Sequence, residues 1–236
     1  MRQRVTQENK TISEKSSHSE MQNPTDNVEA SPSVTMEKDL PMKVLSLFLL
    51  MPLLIGTGVA LAIHNFGDTD AYLSKISSIA ENETVWLYLG LVVFGRTVTW
   101  LNIYPTAKFK NGMKGNIRAN PFIYKVLSLT GKDAEAYKDL VVVYDEDGSN
   151  GKYNRANRSV QHMTENFGLL IASLYAVGIV YPFPTFILIC VFCVGRIMHQ
   201  IGYTNKYGSH GAGFGLAMLA ASIVEGLCVV IAMNAF

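Results

Sequence analysis

The chain has 236 residues, of which 49% are hydrophobic and 17% are charged, and its net charge is +1. Soluble domains carry about 25% charged residues, so this composition argues against a water-soluble globular protein. The near-neutral charge balance gives no electrostatic reason to expect nucleic acid or an acidic substrate as a partner. We therefore expect an integral membrane protein built from hydrophobic helices.

The first 40 residues are rich in Ser, Thr, Glu, Asn and Gln and include no aromatic residue. Such a segment cannot bury enough apolar surface to offset its conformational entropy, so we predict a disordered tail over residues 1–40. It lacks the apolar core of a secretory signal, and its acidic residues argue against a mitochondrial presequence.

Five later stretches have the apolar length of a membrane-spanning helix, which needs roughly 20 residues. The first lies within residues 41–64 and the second within 85–104. A polar segment over 105–154 follows, with several glycines and an acidic turn at residues 145–148. The remaining helices are predicted over 155–180, 184–203 and 214–235. We thus predict an all-α integral membrane fold with five spanning helices.

Lysine and arginine are distributed unevenly among the polar segments. Nine lie between Lys108 and Arg155, whereas the loop over residues 64–84 has one, Lys75. Because such residues accumulate in cytosolic loops, we predict that the N-terminus and the central segment are cytosolic. The 64–84 loop and the C-terminus are then lumenal.

The three cysteines all lie in apolar stretches. Cys190 and Cys193 have the spacing of a metal or redox pair, but no second pair or polar surroundings accompany them. Small apolar helix residues are the preferred interpretation, so we predict neither a metal site nor a disulfide scaffold.

Ionisable residues inside predicted membrane helices are costly and mark either a site or a pairing. Two sets of polar residues follow helical periodicity and form a stripe on each of two helices. The first stripe contains Arg155, Arg158, Gln161, His162 and Glu165, and the second contains Arg196, His199, Tyr203 and Lys206. Ion pairs that only hold the bundle together, such as Glu165 with Arg196, would explain the most buried charges. The additional polar groups favour a hydrated pocket for a small polar ligand.

The same stripes occur in two segments, Arg155–Asn166 and Val194–Tyr203, that match known motifs. The first has an arginine and a glutamate seven residues apart, with a polar residue three positions before the glutamate. These segments resemble the second- and third-helix motifs of MAPEG, the membrane-associated proteins in eicosanoid and glutathione metabolism. The third-helix motif is similar to that of the prostaglandin E synthase branch. Arg118–Pro121 resembles the Ala-Asn-Pro element after the family's first helix, and the resemblance covers about residues 85–236.

The resemblance implies a four-helix membrane bundle over residues 85–236 that assembles as a homotrimer, with the helix within 41–64 as an addition. It also implies glutathione as the cofactor, bound between subunits near the cytosolic face, and a lipophilic small molecule as the substrate. The implied location is the endoplasmic reticulum. By position, the residues implied to bind glutathione are Arg158, Gln161, His162, Glu165, Arg196, His199 and Tyr203.

Three departures from the family pattern bear on catalysis. His162 stands where the motif has Asn, and Gln161 replaces an arginine of the prostaglandin synthase branch, although Gln is normal in the leukotriene branch. The arginine that activates the glutathione thiol is missing from the start of the last helix. Ala212 stands at its position in the prostaglandin branch and His210 at its position in the leukotriene synthase, which makes His210 the candidate catalytic residue.

The sequence leaves two main classes of function open. One is a glutathione-dependent transferase or peroxidase acting on a lipophilic electrophile, in which nearby cations lower the thiol pKa from about 8.5. The other is a non-catalytic lipid-binding or scaffold protein with the same fold. A transporter, suggested by Arg96 and Glu225, is disfavoured because the sequence shows no broken-helix repeats in matching halves.

Overall fold

The computed structural model describes residues 42–109, 122–128, 140–206 and 208–235. The predicted tail over residues 1–40 and the Ala-Asn-Pro element at 119–121 lie outside these ranges. The described elements are α1 (Met42–Phe66), α2 (Thr69–Glu81), α3 (Val85–Phe109), β1 (Tyr124–Ser128), β2 (Leu140–Tyr144), α4 (Gly148–Glu165), α5 (Phe167–Val180), α6 (Pro182–Asn205) and α7 (Gly211–Ala235).

The described residues are mostly helical, as the sequence predicts. Four helices, α1, α3, α6 and α7, are each long and apolar enough to cross a bilayer. The fifth candidate is the bent pair of α4 and α5. Apolar helices of this length are those of an integral membrane protein.

The bent pair corrects the continuous helix that the sequence predicts over residues 155–180. α4 begins earlier, at Gly148, and α5 follows after Asn166 at an angle of 49° to it. The side-chain amide of Asn166 donates to the His162 carbonyl oxygen at 3.3 Å. Because an asparagine side chain competes for backbone hydrogen bonds, this residue type is suited to a helix break.

One helix and one pair of strands were not predicted from the sequence. The polar loop over residues 64–84 contains α2, whose first turn is capped by the Asp68 carboxylate, accepting from the Ala71 N–H at 3.1 Å. The central polar segment contains an antiparallel pair, β1 with β2, in which Tyr124 lies opposite Tyr144. Both strands contain β-branched and aromatic residues, which favour extended structure.

The acidic turn connects β2 to α4. The Asn150 side-chain amide and the Asp147 backbone N–H both donate to the Asp145 carboxylate, which holds its pKa below the usual value. Asp147 also pairs with Lys125 of β1, and this hydrogen bond raises the lysine pKa. These contacts fix the start of α4 against the strand pair.

Close packing between α6 and α7 depends on glycine. A Cβ atom on Gly213 would lie 2.3 Å from the His199 backbone nitrogen, and one on Gly195 would lie 2.7 Å from the Ala217 nitrogen. Small residues allow the backbones of two membrane helices to come into direct contact. This contact sets the position of α7 next to His199.

α1 packs on α3 through polar and apolar contacts. The Arg96 guanidinium donates to the Leu49 carbonyl oxygen at 3.2 Å, which accounts for this intramembrane charge. Leu45 is buried in a cluster with Tyr104 of α3 and Ala156 of α4. The added helix is therefore in direct contact with the rest of the bundle.

Candidate functional site

A polar pocket of about 240 Å³ lies where α4, α6 and the start of α7 meet. Residues 158, 159 and 162 face it from α4, because spacings of three and four bring side chains to one helix face. From the second polar stripe, His199 and Tyr203 face it from α6. The lining residues are Arg158, Ser159, His162, His199, Tyr203, His210 and Phe214.

Arg155 ties α4 to the end of α6 beside the pocket. Its guanidinium donates to the Thr204 carbonyl oxygen at 3.2 and 3.3 Å, and also to the Glu146 carbonyl oxygen at 3.1 Å. The arginine that begins the first stripe therefore has a role in positioning both polar helices.

Arg196 is buried, with 4% of its surface exposed, and it links α6 to α4. Its Nη2 donates to the Ser159 carbonyl oxygen at 2.9 Å, and its Nη1 lies 3.3 Å from His162 Nδ1. Its Nε has no hydrogen-bond partner within the described part of the chain.

The ion pair of Glu165 with Arg196, considered from the sequence, is not formed. Glu165 instead pairs with Arg158 on its own helix at 3.1 Å, and both side chains are about half exposed. The reason is that Arg196 is buried against α4, where a backbone carbonyl and a histidine nitrogen accept from its two terminal nitrogens.

His199 lies at the centre of an aromatic and imidazole cluster. Ser159 Oγ is 3.0 Å from its Nδ1, and the Tyr203 ring stacks on it at a centroid distance of 5.8 Å. The His162 ring centroid is 6.0 Å away. Although three histidines lie close together, the described residues contain no group of His, Cys, Asp or Glu arranged to hold a metal ion.

His210 faces into this cluster from the turn before α7. Its ring centroid lies 5.0 Å from that of Tyr203 and 5.5 Å from that of His199. Its Nδ1 is buried and has no hydrogen-bond partner among the described residues. A tight turn positions it, with Gly208 at a φ of +94° and Ser209 Oγ donating to the Gly202 carbonyl oxygen at 2.7 Å. Ala212, by contrast, is exposed.

Not every residue of the predicted site lines this pocket. Gln161 lines a neighbouring pocket of about 270 Å³ beside the strand pair. This second pocket shares Arg158 and Tyr203 with the first. Glu165 is close to the site only through its ion pair with Arg158. Six of the eight predicted residues therefore cluster around His199, counting Arg196 through its contact with His162.

Ser159 and Phe214 were not predicted as site residues. Ser159 precedes His162 by three residues, so helical periodicity alone places it on the same face of α4. Phe214 has no such signal in the sequence, because its ring packs against His162 and His199 of other helices at 5.7 and 5.9 Å.

An apolar pocket adjoins the polar one, and His162 and Phe214 line both. Arg196 also lines the apolar pocket, together with Leu170 and Phe192. The two pockets therefore meet at the same pair of side chains.

A membrane bundle with a polar pocket between its helices is therefore the class of protein that the fold and site define. A model of the MAPEG family matches residues 84–232, well over half of the chain, and the chain belongs to this family. The family has an all-α membrane fold and includes glutathione transferases and synthases as well as non-catalytic members. A comparison with curated proteins finds no match. α1 and α2 precede the matched residues.

Proposed function

We propose that this protein is a membrane-bound glutathione-dependent transferase or peroxidase that acts on a lipophilic electrophile. The observation that carries the proposal is the junction of the two pockets at His162 and Phe214. A thiol held in the polar pocket would meet an electrophile held in the apolar pocket at this junction. The membership of glutathione transferases in the family supports the same ligand.

Glutathione has two carboxylates and one ammonium group, and the proposed site offers groups of complementary charge. Arg158 lines the pocket as a fixed cation, and Glu165, paired with it, can accept from the ammonium group. Hydrogen bonds between ionised partners are roughly twice as strong as neutral ones. Arg158, Gln161 and Glu165 are exposed in the single chain. We propose that they complete the site against a neighbouring subunit of a homotrimer.

The thiol would be activated at His210. In this scheme an imidazole nitrogen takes the thiol proton, the thiolate forms the C–S bond with the electrophile, and the proton then passes to the leaving group. The backbone N–H groups at the start of α7 add favourable electrostatics for an anion beside His210. Tyr203, stacked on His199 and in edge contact with His210, lies within the same cluster.

A second candidate function is supported by the missing arginine. Neither Ala212 nor His210 provides the permanent positive charge that the resemblance associates with thiol activation. A non-catalytic member of the family would keep the fold and a lipid-binding groove without turning over glutathione.

Calorimetric titration of the protein in lipid nanodiscs with glutathione tests the proposal. Arg158→Ala should weaken glutathione binding at least tenfold, whereas Lys152→Ala, an exposed cation on the same helix, should leave it unchanged. Conjugation of glutathione to a reactive aryl halide then separates the two functions. Binding without conjugation would identify the non-catalytic protein, and a lack of binding in wild type would end the glutathione proposal.

A further inference from the structure

The apolar pocket is a groove between one face of α7 and one face of α5. Phe214, Ala221 and Glu225 line it from α7, and their spacings of seven and four residues place them on a single helix face. Asn166 and Ser173, seven residues apart, line it on the other side. The groove therefore follows both helix axes rather than forming a closed cavity.

The groove is apolar along its middle and polar at its ends. Leu170, Phe192 and Ala217 are buried side chains that line its middle. Phe214 and Glu225 are eleven residues apart, which is roughly 16 Å along α7. Phe214 also borders the polar pocket, so Glu225 marks the far end. These dimensions fit an extended amphiphile.

Glu225 is an ionisable residue in the middle of an apolar membrane helix. Within the part of the chain that the structure describes, its carboxylate has no ion-pair or hydrogen-bond partner. Such a residue is costly in a bilayer and marks a binding site by default. At the opposite end of the same groove, Arg196 is 96% buried and its Nε has no partner among the described residues. One end of the groove thus has a buried donor without a partner among the described residues, and the exposed Glu225 carboxylate marks the other end.

We propose that this groove binds a lipophilic amphiphile with a hydrogen-bond donor, a hydroxyl or an amine, at the end of its apolar body, and that Glu225 accepts from this donor. The inference rests on the proposed function and names the class of its second ligand. An acidic tail is disfavoured at this end, because two carboxylates in a medium of low dielectric repel one another. The other end of the ligand lies beside His162 and Phe214, next to the polar pocket.

The test compares two probes with the same alkyl chain, 1-dodecanol and 1-methoxydodecane, in which a methyl group replaces the hydroxyl hydrogen. Their affinities are measured by displacement of a fluorescent long-chain alcohol from the full chain in lipid nanodiscs, with empty nanodiscs as the blank. Wild type should bind the alcohol about tenfold more tightly than the ether, since a hydrogen bond to a charged group is made only by the alcohol. Glu225→Leu should abolish this preference, and the protein should still fold because leucine suits an apolar helix. Glu225→Gln should reduce the preference.

Ser222→Ala is the matched control, because Ser222 is an exposed polar residue of α7 outside the groove lining. It should keep the tenfold preference. Equal binding of the two probes to wild type would overturn the proposal, as would an unchanged preference in Glu225→Leu. Glutathione affinity, measured in the same samples, should be the same in wild type and Glu225→Leu. A wild type that prefers the alcohol but binds no glutathione would refute the proposed function and leave the groove proposal standing.

Discussion

At the residue scale, the pocket combines three imidazoles with one fixed cation that lines it. His210 contacts both His199 and Tyr203, and its Nδ1 is buried without a hydrogen-bond partner among the described residues. A side chain that only solvated the turn would not be packed in this way. The geometry therefore supports His210 over Ala212 as the group that acts on the thiol.

His210→Ala should lower the rate of glutathione conjugation at least a hundredfold, because general base catalysis contributes about 10² to 10⁴. His210→Arg should keep or raise the rate, since arginine supplies the permanent positive charge that the resemblance associates with thiol activation. Conjugation of glutathione to an aryl halide measures both effects. Equal rates in wild type and His210→Ala would end this assignment.

Glu165 and Arg196 should respond differently to substitution. Glu165→Gln breaks an exposed ion pair, so the free energy of unfolding should change by less than about 1 kcal/mol, while glutathione affinity falls. Arg196→Ala leaves the Ser159 carbonyl and the His162 ring without their donor. Each lost hydrogen bond should lower the free energy of unfolding by about 1.5–3 kcal/mol. Thermal unfolding and calorimetry in detergent separate the two, with the exposed Met198→Ala as the control. Unchanged glutathione affinity in Glu165→Gln would favour a purely structural ion pair.

At the element scale, the site depends on the approach of α7 to α6. Gly213 faces the His199 backbone at a distance that leaves no room for a side chain, whereas a Cβ on Gly215 would meet nothing within 4 Å. The two glycines are equivalent in the sequence, in the same helix and two residues apart. Only the packing distinguishes them.

Gly213→Ala should therefore destabilise the protein by about 1–3 kcal/mol, the usual cost of overpacking. Gly215→Ala should be neutral or stabilising, because alanine favours a helix over glycine by about 1 kcal/mol. Thermal unfolding in detergent gives both values. Gly213→Ala should also weaken glutathione binding, since α6 and α7 move apart at His199. Equal unfolding midpoints for the two variants would contradict the packing at this contact.

At the scale of the whole molecule, the distribution of lysine and arginine predicts the orientation in the membrane. Trypsin added to sealed microsomes should cut the central segment, which includes the exposed Lys152, and should spare Lys75 in α2. Permeabilised microsomes serve as the control, because Lys75 should then be cut as well. Protection of the central segment with cleavage at Lys75 would reverse the orientation and place the proposed site in the lumen.

The sequence by itself determined the membrane class, the apolar helices, the two polar stripes and the family. These features depend on local hydropathy and on the helical repeat, which are properties of short stretches of chain. The role of His210 was predicted only from its correspondence with the family, and its contact with the cluster was not predicted. Helical periodicity could also have predicted Ser159 as a site residue, because it lies three residues before His162.

The tertiary structure decided which side chains meet. Arg196 binds a carbonyl and a histidine of α4 rather than Glu165, and Phe214 joins the polar pocket to the groove. The break at Asn166 and the strand pair also required the folded chain. The physical reason is that contacts between helices depend on their rotation and separation. Backbone contacts such as that at Gly213 set these quantities, and no stretch of sequence encodes them alone.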